Sequence, residues 1–460
     1  MGGVFRKPIA IYLDKGIDVI SGFLGCAYSG NFYSPIDPEM PMPRVKCIFE
    51  TLEPECIITS EKYAEKIKEI DDTKRIMLIS DLEDKEADDA LIHDIAQKMT
   101  NRDVLYVLFT SGSTGKPKGV VISHLSTISY TEWASGAFDM STNDILGNQT
   151  PFYFSMSVFD IYQTISCGCT MEIIPKELFS KPDTLLDYLE SRSVNTIYWV
   201  PSALNLVAKS GVFENKGIGF LRKILFAGEV MPNSVLNICR KANPFALYAN
   251  LFGPTELTDI CTYYIVDREF RDDEPLPIGK ACLNTGILVL DENDKLVGEG
   301  SDSLGELCVR GSTVAYGYYH DKEKTREVFV QNPLNKVYDE IIYRTGDLVK
   351  YNEYDELIYV GRKDFQVKVS GYRIELGEIE TAASSIPAIR LNCCLFDSDN
   401  QLLILFAEGN IDKKSIRSGL RKLLPRYMMP HRYIILDKMP INANGKIDRV
   451  ALRKEYLSDG

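Results

Sequence analysis

A buried strand passes directly into a loop of small and hydroxylated residues in the segment LYVLFTSGSTGKPKG, residues 105–119. Glycines let a ligand approach the backbone closely, and the hydroxyl groups and two lysines suit a chain of phosphates. Because its spacing differs from GxxxxGK[ST], the segment is not a P-loop of the NTPase type. Such a loop can also be an ordinary flexible turn. The candidate phosphate-binding residues are Thr110, Ser111, Gly112, Ser113, Thr114, Gly115, Lys116 and Lys118.

The composition is that of a folded protein, with 45% hydrophobic and 25% charged residues in 460. A chain of this length exceeds what one hydrophobic core organises, so at least two folding units are expected. The net charge of -13 argues against nucleic-acid and anionic-membrane partners. No signal peptide or bilayer-length apolar run is recognisable, and we expect a cytoplasmic location. Eleven scattered cysteines without a CxxC pair predict neither a zinc framework nor a disulfide scaffold.

The apolar pattern predicts an α/β fold in two parts. Up to about Asp272, short apolar runs alternate with helical-period stretches, which indicates layered α/β structure. Beyond it, shorter strand candidates separated by Asp, Asn and Gly turns predict a β-rich subdomain. From Asp364 onward a compact tail has enough apolar residues for its own core. We therefore predict a large N-terminal domain over residues 1–363 and a small α+β C-terminal domain over residues 364–460.

Five further segments follow the family order of a known group of enzymes. They are AYSGNFYSPIDP at 27–38, NLFGPTE at 250–256, YRTGD at 343–347, GRKD at 361–364 with KVSGYRIELGEIE at 368–380, and NGKID at 444–448. With the phosphate loop, they resemble the adenylate-forming superfamily, and most closely the amino-acid adenylation domains of nonribosomal peptide synthetases and the D-alanine carrier-protein ligases. The resemblance covers nearly the whole chain and implies ATP and Mg²⁺ as cofactors. The chain starts after the family's first helix, so an opening segment of the large domain is expected to be missing.

The resemblance implies roles for the nucleotide-binding residues. The loop from Thr110 to Lys118 is expected to hold the β- and γ-phosphates, and Glu256 to bind Mg²⁺ with Thr255 as a catalytic neighbour. An aspartate in an RTGD segment can also be a plain turn carboxylate. The expected contacts to the nucleoside are Asn250 at the adenine edge, Phe252 and Gly253 at its face, and Asp347 at the ribose hydroxyls with Arg362 close by.

The C-terminal part is implied to be mobile and to serve two half-reactions. Lys446 is the expected catalytic lysine, which offsets the negative charge between the substrate carboxylate and the α-phosphate. A lysine near a terminus is usually solvated surface, but the tight Asn-Gly turn before it can project the side chain into a cleft. Asp364 matches the hinge about which the small domain rotates. In the second pose the Gly371 loop is expected to replace Lys446 and to line the path of a pantetheine thiol.

The acyl pocket departs from the family at one position. Ser155 stands where α-amino-acid enzymes carry the aspartate that pairs with the substrate ammonium. A buried ammonium without a counter-charge is unfavourable, so either another carboxylate serves, with Asp259 the obvious substitute, or the substrate lacks an α-amino group. Asp160 is equally explained as an ordinary helix-start residue. The other matching positions are largely apolar and predict a small acyl group: Met156, Phe159, Tyr198, Leu225, Ala227, Leu251 and Ile260.

Three functions remain open from the sequence. The first is a free-standing enzyme that loads an amino acid, or an amine-bearing acid, onto a separate phosphopantetheinyl carrier protein, since no carrier domain follows Gly460. The second is an acyl-CoA or aryl-acid ligase, which Ser155 favours if no ammonium is bound. The third is a degenerate nucleotide-binding interaction protein, against which the presence of Glu256, Asp347 and Lys446 argues.

Overall fold

In a computed structural model, the chain is described over residues 5–70, 73–83, 85–112, 116–298, 303–364, 366–442 and 447–457. It forms two large sheets flanked by helices, a smaller antiparallel sheet, and a separate C-terminal layer. No helix within these ranges has the length and apolar character needed to cross a bilayer.

The first sheet has six strands in the order β4-β3-β1-β2-β5-β6, all parallel except the last pair. All five residues of β1 are buried, as expected for a parallel strand covered on both faces. Helix α6 begins directly after β6 because the Ser123 hydroxyl accepts a hydrogen bond from the Ser126 amide, at 3.1 Å. The elements are β1 (Pro8–Tyr12), α1 (Ile17–Tyr28), β2 (Phe32–Pro35), α2 (Met42–Leu52), β3 (Cys56–Thr59), α3 (Glu61–Lys68), β4 (Arg75–Leu78), α4 (Ser80–Glu83), α5 (Asp89–Lys98), β5 (Val104–Thr110), β6 (Lys118–Ser123) and α6 (His124–Ala137).

The second sheet has seven strands in the order β13-β12-β11-β10-β9-β7-β8, with an antiparallel edge from β11 to β13. Its inner face shares one hydrophobic core with the first sheet, in which Ile11 and Leu225 are both fully buried. The elements are β7 (Ile145–Asn148), α7 (Ser157–Cys167), β8 (Thr170–Ile173), α8 (Pro182–Ser191), β9 (Thr196–Trp199), α9 (Pro201–Ala208), α10 (Val212–Lys216), β10 (Lys223–Ala227), α11 (Asn233–Ala242), β11 (Leu247–Phe252), β12 (Thr262–Ile265) and β13 (Lys280–Ala281). Short 3-10 helices lie at Lys176–Ser180 and Thr255–Leu257.

The third sheet is antiparallel and corresponds to the predicted β-rich subdomain. Its strands follow the order β14-β15-β17-β16, and β18 pairs with β17. The elements are β14 (Thr285–Leu290), β15 (Gly305–Gly311), α12 (Lys322–Val328), β16 (Phe329–Gln331), β17 (Ile341–Tyr351) and β18 (Leu357–Arg362).

The C-terminal layer combines a hairpin, a three-stranded sheet and three helices around a core of its own, which includes Ile379, Leu405 and Leu420. The predicted fold class, a layered α/β part with a β-rich subdomain followed by a small α+β part, is confirmed. Asp364 lies between β18 and β19, and the division at this residue stays a prediction. The elements are β19 (Gln366–Val369), β20 (Tyr372–Glu375), α13 (Leu376–Ser384), β21 (Ile389–Asp397), β22 (Leu402–Gly409), α14 (Lys413–Leu420), β23 (Arg432–Leu436) and α15 (Arg449–Tyr456).

Candidate active site

A cavity of about 340 Å³ lies where the first two sheets meet the C-terminal layer. Segments far apart in the chain form its wall, because the ends of β5, β9, β10 and β11 and the β19–β20 hairpin converge there. The residues that line the cavity include Thr110, Ser111, Ser155, Met156, Val200, Ala227, Thr255, Asp259, Ile260, Lys368, Gly371 and Arg373.

The phosphate loop opens onto this cavity from the ends of β5 and β6. The Ser111 hydroxyl donates to the Arg373 carbonyl at 2.8 Å, so the loop touches the C-terminal layer. Gly112 is required, since a Cβ there would lie 2.0 Å from the Lys116 carbonyl oxygen. Burial, together with the nearby Arg373 guanidinium, lowers the pKa of Lys118 to about 8. Lys116 is exposed, and Ser113, Thr114 and Gly115 lie outside the described residues.

Glu256 is fully buried and carries a negative charge beside three donors. It accepts hydrogen bonds from the Tyr318 hydroxyl at 2.7 Å and from Arg373 Nη1 at 2.5 Å, with Lys118 Nζ at 3.8 Å. Burial raises the pKa of Glu256, but Arg373 and Lys118 outweigh it and hold the pKa at about 2. The carboxylate is therefore ionised at neutral pH.

The fit of Mg²⁺ to this site depends on the C-terminal layer. One carboxylate plus substrate phosphates is the usual way in which proteins hold Mg²⁺. Among the described residues no group of three His, Cys, Asp or Glu side chains could hold a metal, so phosphates have to supply the remaining ligands. Arg373 pairs with Glu256 in this arrangement. Glu256 therefore fits Mg²⁺ once the β19–β20 hairpin has withdrawn.

Of the predicted nucleoside contacts, Gly253 lines the cavity, whereas Asn250, Phe252, Asp347 and Arg362 do not. Asp347 is buried and pairs with Arg362 at 2.7 Å, and Arg362 also pairs with Asp364 at 2.6 Å. Asn250 donates to the Pro277 carbonyl at 2.8 Å. The Lys368 ammonium stands 4.8 Å from the centre of the Phe252 ring. Phe252 was predicted to stack on adenine, but Lys368 covers one face of its ring in this arrangement.

The hairpin between β19 and β20 enters the cavity through its turn. Gly371 has a φ of +78°, and a Cβ there would lie 2.4 Å from Val200 Cγ1. Tyr372 stacks on Tyr427 at 4.0 Å and meets the Phe154 ring edge-on at 4.8 Å. Gly371 thus lines the cavity, and its role in a thioester-forming pose stays a prediction. A buried ion pair between Arg44 of α2 and Glu378 of α13 is a further contact between the N-terminal part of the protein and the C-terminal layer.

Lys446 itself lies outside the described residues. Its neighbours Ile441 and Ile447 form an isolated β-bridge, and Ile447 packs against the buried Met439 and Leu452 of the C-terminal layer. The described residues that line the cavity include none from 436–442 or 447–457. The role of Lys446 therefore stays a prediction.

Ser155 and Asp259 are brought together at the acyl end of the cavity. The Ser155 hydroxyl donates to Asp259 Oδ1 at 3.2 Å, and the hydroxyls of Tyr130 and Tyr198 donate to Asp259 Oδ2 at 2.8 and 3.0 Å. Burial raises the pKa of Asp259 to about 6, against the opposing effect of the three hydroxyl donors. Asp259 also has a φ of +105°, which is rare outside glycine. A strained, buried carboxylate at a cavity wall is typical of a functional residue.

The acyl pocket is shallower than the sequence predicts. Ser155, Met156, Ala227, Asp259 and Ile260 line the cavity. The remaining four predicted residues are packed in the core behind it: Phe159, Tyr198, Leu225 and Leu251.

Several residues of the site were missed from the sequence. Tyr130 lies on α6 and Val200 precedes α9, and neither belongs to a motif. Lys368 and Arg373 stand within the quoted C-terminal segment, yet the motif does not tell which groups they contact. Asp259, in contrast, was named from the sequence as the substitute for the charge that Ser155 lacks.

Asp160 is buried on α7 but does not line the cavity. It accepts a hydrogen bond from Asn148 at 2.6 Å, and burial raises its pKa to about 7. The structure thus separates the two candidate carboxylates of the acyl region.

Comparison with known proteins agrees with this arrangement. The sequence pattern of the AMP-binding enzymes matches residues 3–319. The L-proline--[L-prolyl-carrier protein] ligase of Streptomyces coelicolor is 33% identical, over 96% of this chain and 86% of its own, and the D-alanine--D-alanyl carrier protein ligase of Lacticaseibacillus casei is 33% identical, over 98% and 89%. The Vibrio cholerae adenylation domain AlmE, solved with glycyl-adenosine-5'-phosphate, superposes with a TM-score of 0.84 at 21% identity, over 98% and 89%. The chain belongs to the AMP-binding enzyme family.

Proposed function

We propose that this enzyme uses MgATP to activate a small amine-bearing carboxylic acid as an acyl-adenylate, and then transfers the acyl group to the phosphopantetheine thiol of a carrier protein. The observation that carries the proposal is a single cavity in which the phosphate loop, a buried carboxylate for an ammonium and the Gly371 loop meet. Two relatives that share a third of their residues with this chain are named as ligases of amino acids and carrier proteins.

In the first half-reaction, a carboxylate oxygen of the acid attacks the α-phosphorus of ATP and pyrophosphate leaves. In this proposal Thr110 and Ser111, which line the cavity, and Lys118 bind the departing phosphates, and Asp259 holds the substrate amine. Mg²⁺, when bound at Glu256, offsets phosphate charge. Lys446 supplies a further cation toward the α-phosphate, where negative charge develops.

In the second half-reaction, the thiol sulfur attacks the acyl carbon and AMP leaves. The arrangement described here suits this step, because the Gly371 loop lines the cavity and Arg373 neutralises Glu256. The guanidinium and a metal ion compete for the same carboxylate. Glu256 would therefore hold Mg²⁺ only in an arrangement in which Arg373 does not occupy its carboxylate.

Acid-dependent exchange of labelled pyrophosphate into ATP tests the first half-reaction. Lys446→Ala is expected to lower the exchange rate about 100-fold, since it removes one cation from the developing charge. Lys438→Ala is the matched control, because Lys438 is an exposed lysine of the same C-terminal layer. Exchange that is equally fast in both variants would contradict the role of Lys446. A folded wild-type protein without exchange for any acid would favour the nucleotide-binding interaction protein.

A basic groove of about 1040 Å³ supports a carrier protein as the acceptor. Glu39 lines both the groove and the cavity, so the groove adjoins the cavity entrance, and Lys176 pairs with Glu39 at 2.5 Å. Several cations lie on or next to α14, and their positive charge would complement an anionic partner. The cationic lining residues are Lys413, Lys414, Arg417, Arg421 and Arg426, with Glu39 the only acidic side chain among the described residues of the lining.

Charge reversal in this groove separates a carrier protein from coenzyme A. The triple variant Lys413→Glu/Arg417→Glu/Arg421→Glu is expected to slow acyl transfer to an acidic carrier protein at least about 10-fold and to leave pyrophosphate exchange within about twofold. Its control is Lys209→Glu/Arg222→Glu/Lys241→Glu, three exposed cations beside the second sheet. If wild type acylates coenzyme A faster than any carrier protein, the acyl-CoA ligase is the better description.

A further inference from the structure

The ion pair between Arg44 and Glu378 is enclosed where the N-terminal part of the protein meets the C-terminal layer. The side chain of Arg44 on α2 is 6% exposed and that of Glu378 on α13 is 2% exposed. Among the described residues, neither group has another oppositely charged side chain within 4 Å. Within the same ranges, Arg44 Nε and Glu378 Oε2 have no hydrogen-bond partner. Each buried charge is therefore compensated chiefly by the other, across the boundary between the two parts.

The position of Glu378 in the chain connects this ion pair to the Gly371 loop. Strand β20 starts directly after Gly371, and α13 starts directly after β20. Ile374 of β20 and Ile379 of α13 are fully buried in the same core of the C-terminal layer. The hairpin and α13 therefore belong to one packed unit. When the hairpin withdraws from the cavity, Glu378 has to part from Arg44.

Arg44 also lies beside the aromatic contact of the hairpin turn. Arg44, Phe154 and Tyr427 line one small cavity. Tyr372, the residue after Gly371, stacks on Tyr427 at 4.0 Å and meets the Phe154 ring edge-on at 4.8 Å. The ion pair and the aromatic contacts thus fix the same segment of the C-terminal layer against the N-terminal part.

Burial makes the effect of this ion pair depend on the arrangement of the two parts. Moving a guanidinium or a carboxylate out of water is unfavourable, and their attraction offsets this only when both groups are present. Removal of one partner leaves an uncompensated buried charge while the hairpin occupies the cavity. Once the hairpin has withdrawn, the remaining charge is no longer enclosed by the other part. The loss of one partner should therefore disfavour only the arrangement with the hairpin in the cavity.

We infer that Arg44 and Glu378 are positioning residues for the thiol-dependent half-reaction, because their ion pair holds the Gly371 loop in the cavity during acyl transfer. This inference rests on the proposed function and adds the contact that fixes the loop. Neither side chain lines the cavity, so both act through the Gly371 loop and not on the reacting atoms.

Two assays on the full chain separate the half-reactions. Exchange of labelled pyrophosphate into ATP is measured with glycine, alanine, proline and β-alanine. With the acid that exchanges fastest, single-turnover transfer from preformed acyl-adenylate to pantetheine is then measured. Glu378→Gln and Arg44→Met are each expected to slow transfer at least about 50-fold and to leave exchange within about threefold. Pantetheine is the acceptor because it does not need the basic groove.

A charge swap tests whether the ion pair itself is the cause. Arg44→Glu/Glu378→Arg places opposite charges at the same two positions, so transfer should recover to within about 10-fold of wild type. Lys223→Met is the matched control. It breaks the ion pair of Lys223 with Asp144 at 2.6 Å, whose side chains are largely buried within the N-terminal part. Since this pair does not join the two parts, the control should change both half-reactions equally or not at all.

The outcomes distinguish the inference from the proposed function. Transfer within about threefold of wild type in either single variant overturns the inference and leaves adenylation intact. Equal loss of exchange and transfer, or a charge swap as slow as the single variants, does the same. No exchange with any of the four acids by a folded wild-type protein overturns both the proposed function and the inference.

Discussion

Asp259→Asn is expected to lower kcat/KM for the amine-bearing acid at least about 1000-fold, because a buried ammonium loses its counter-charge. The amide keeps the size of the side chain, and its oxygen can still accept from Tyr130 or Tyr198. The loss should therefore appear in activation of the acid and not in folding. Pyrophosphate exchange at saturating ATP measures it.

The same variant is expected to be more stable than wild type near neutral pH. The pKa of Asp259 is raised to about 6 from its ordinary 3.8, so its ionised form is disfavoured in the folded protein by up to about 3 kcal/mol. Asp259→Asn should raise the free energy of unfolding at pH 8 by about 1–3 kcal/mol. Because the wild-type carboxyl takes up its proton as the pH falls through 6, the difference should shrink and vanish below about pH 4. Urea unfolding at pH 8 and pH 5 measures both values.

Substrate binding is expected to depend on pH in the opposite direction from the stability of the wild-type protein, because binding needs the ionised carboxylate. Below pH 6 the carboxyl group of free Asp259 is protonated, so KM for the acid is expected to rise as the pH falls from 7 to 5. Asp160→Asn should also stabilise the protein, since the pKa of Asp160 is raised to about 7 by burial, but it should leave this KM profile intact. A KM profile that is flat in wild type, or lost equally in Asp160→Asn, would show that Asp259 does not bind the amine.

Gly371→Ala is expected to separate the two half-reactions. A Cβ at Gly371 would lie 2.4 Å from Val200 Cγ1, and the φ of +78° disfavours any side chain. Together these effects disfavour the arrangement described here by about 3.5 kcal/mol, and acyl transfer should slow about 300-fold. Pyrophosphate exchange should stay within about threefold, because it uses the other pose. Single-turnover transfer from preformed acyl-adenylate measures the effect.

Gly361→Ala is the control for this variant. Gly361 lies in β18, and a Cβ there meets no atom within 4 Å. Both half-reactions should stay close to wild type in the control. Val200→Ala combined with Gly371→Ala should recover part of the transfer rate, since it removes the clashing methyl group. Equal loss of exchange and transfer in Gly371→Ala would contradict a role restricted to the second half-reaction.

Motifs that are continuous in sequence predicted the phosphate-binding residues. The strand-loop pattern of residues 105–119 was sufficient because neighbouring backbone groups make the site. Glu256 and Asp347 were named from short segments of the same kind. In each case the residue itself could be named from its own segment, although its partners in the structure lie elsewhere in the chain.

From the sequence, Asp259 could be predicted as the carboxylate that pairs with the substrate amine only as one of two alternatives. The sequence showed that Ser155 lacks a charge, and it offered Asp259 as a substitute beside the alternative of a substrate without an α-amino group. Its hydroxyl partners Tyr130 and Tyr198 lie on separate elements more than 60 residues before it. No periodicity of the apolar residues distinguishes these tyrosines from other core positions.

By itself, the sequence determined the fold class and the family and named a candidate phosphate loop, since these depend on hydrophobic periodicity and on contiguous motifs. Only the tertiary structure decided that Arg373 neutralises Glu256 and that Val200 faces Gly371. It also decided that four predicted pocket residues are packed in the core, and that five cations line a groove beside the cavity. The physical reason is that the contacts of Arg373 and Gly371 join residues more than 100 positions apart in the chain. The cations of the groove lie on one helix and in the loop that follows it. Their distances depend on how the sheets and the C-terminal layer pack together, which local patterns do not contain.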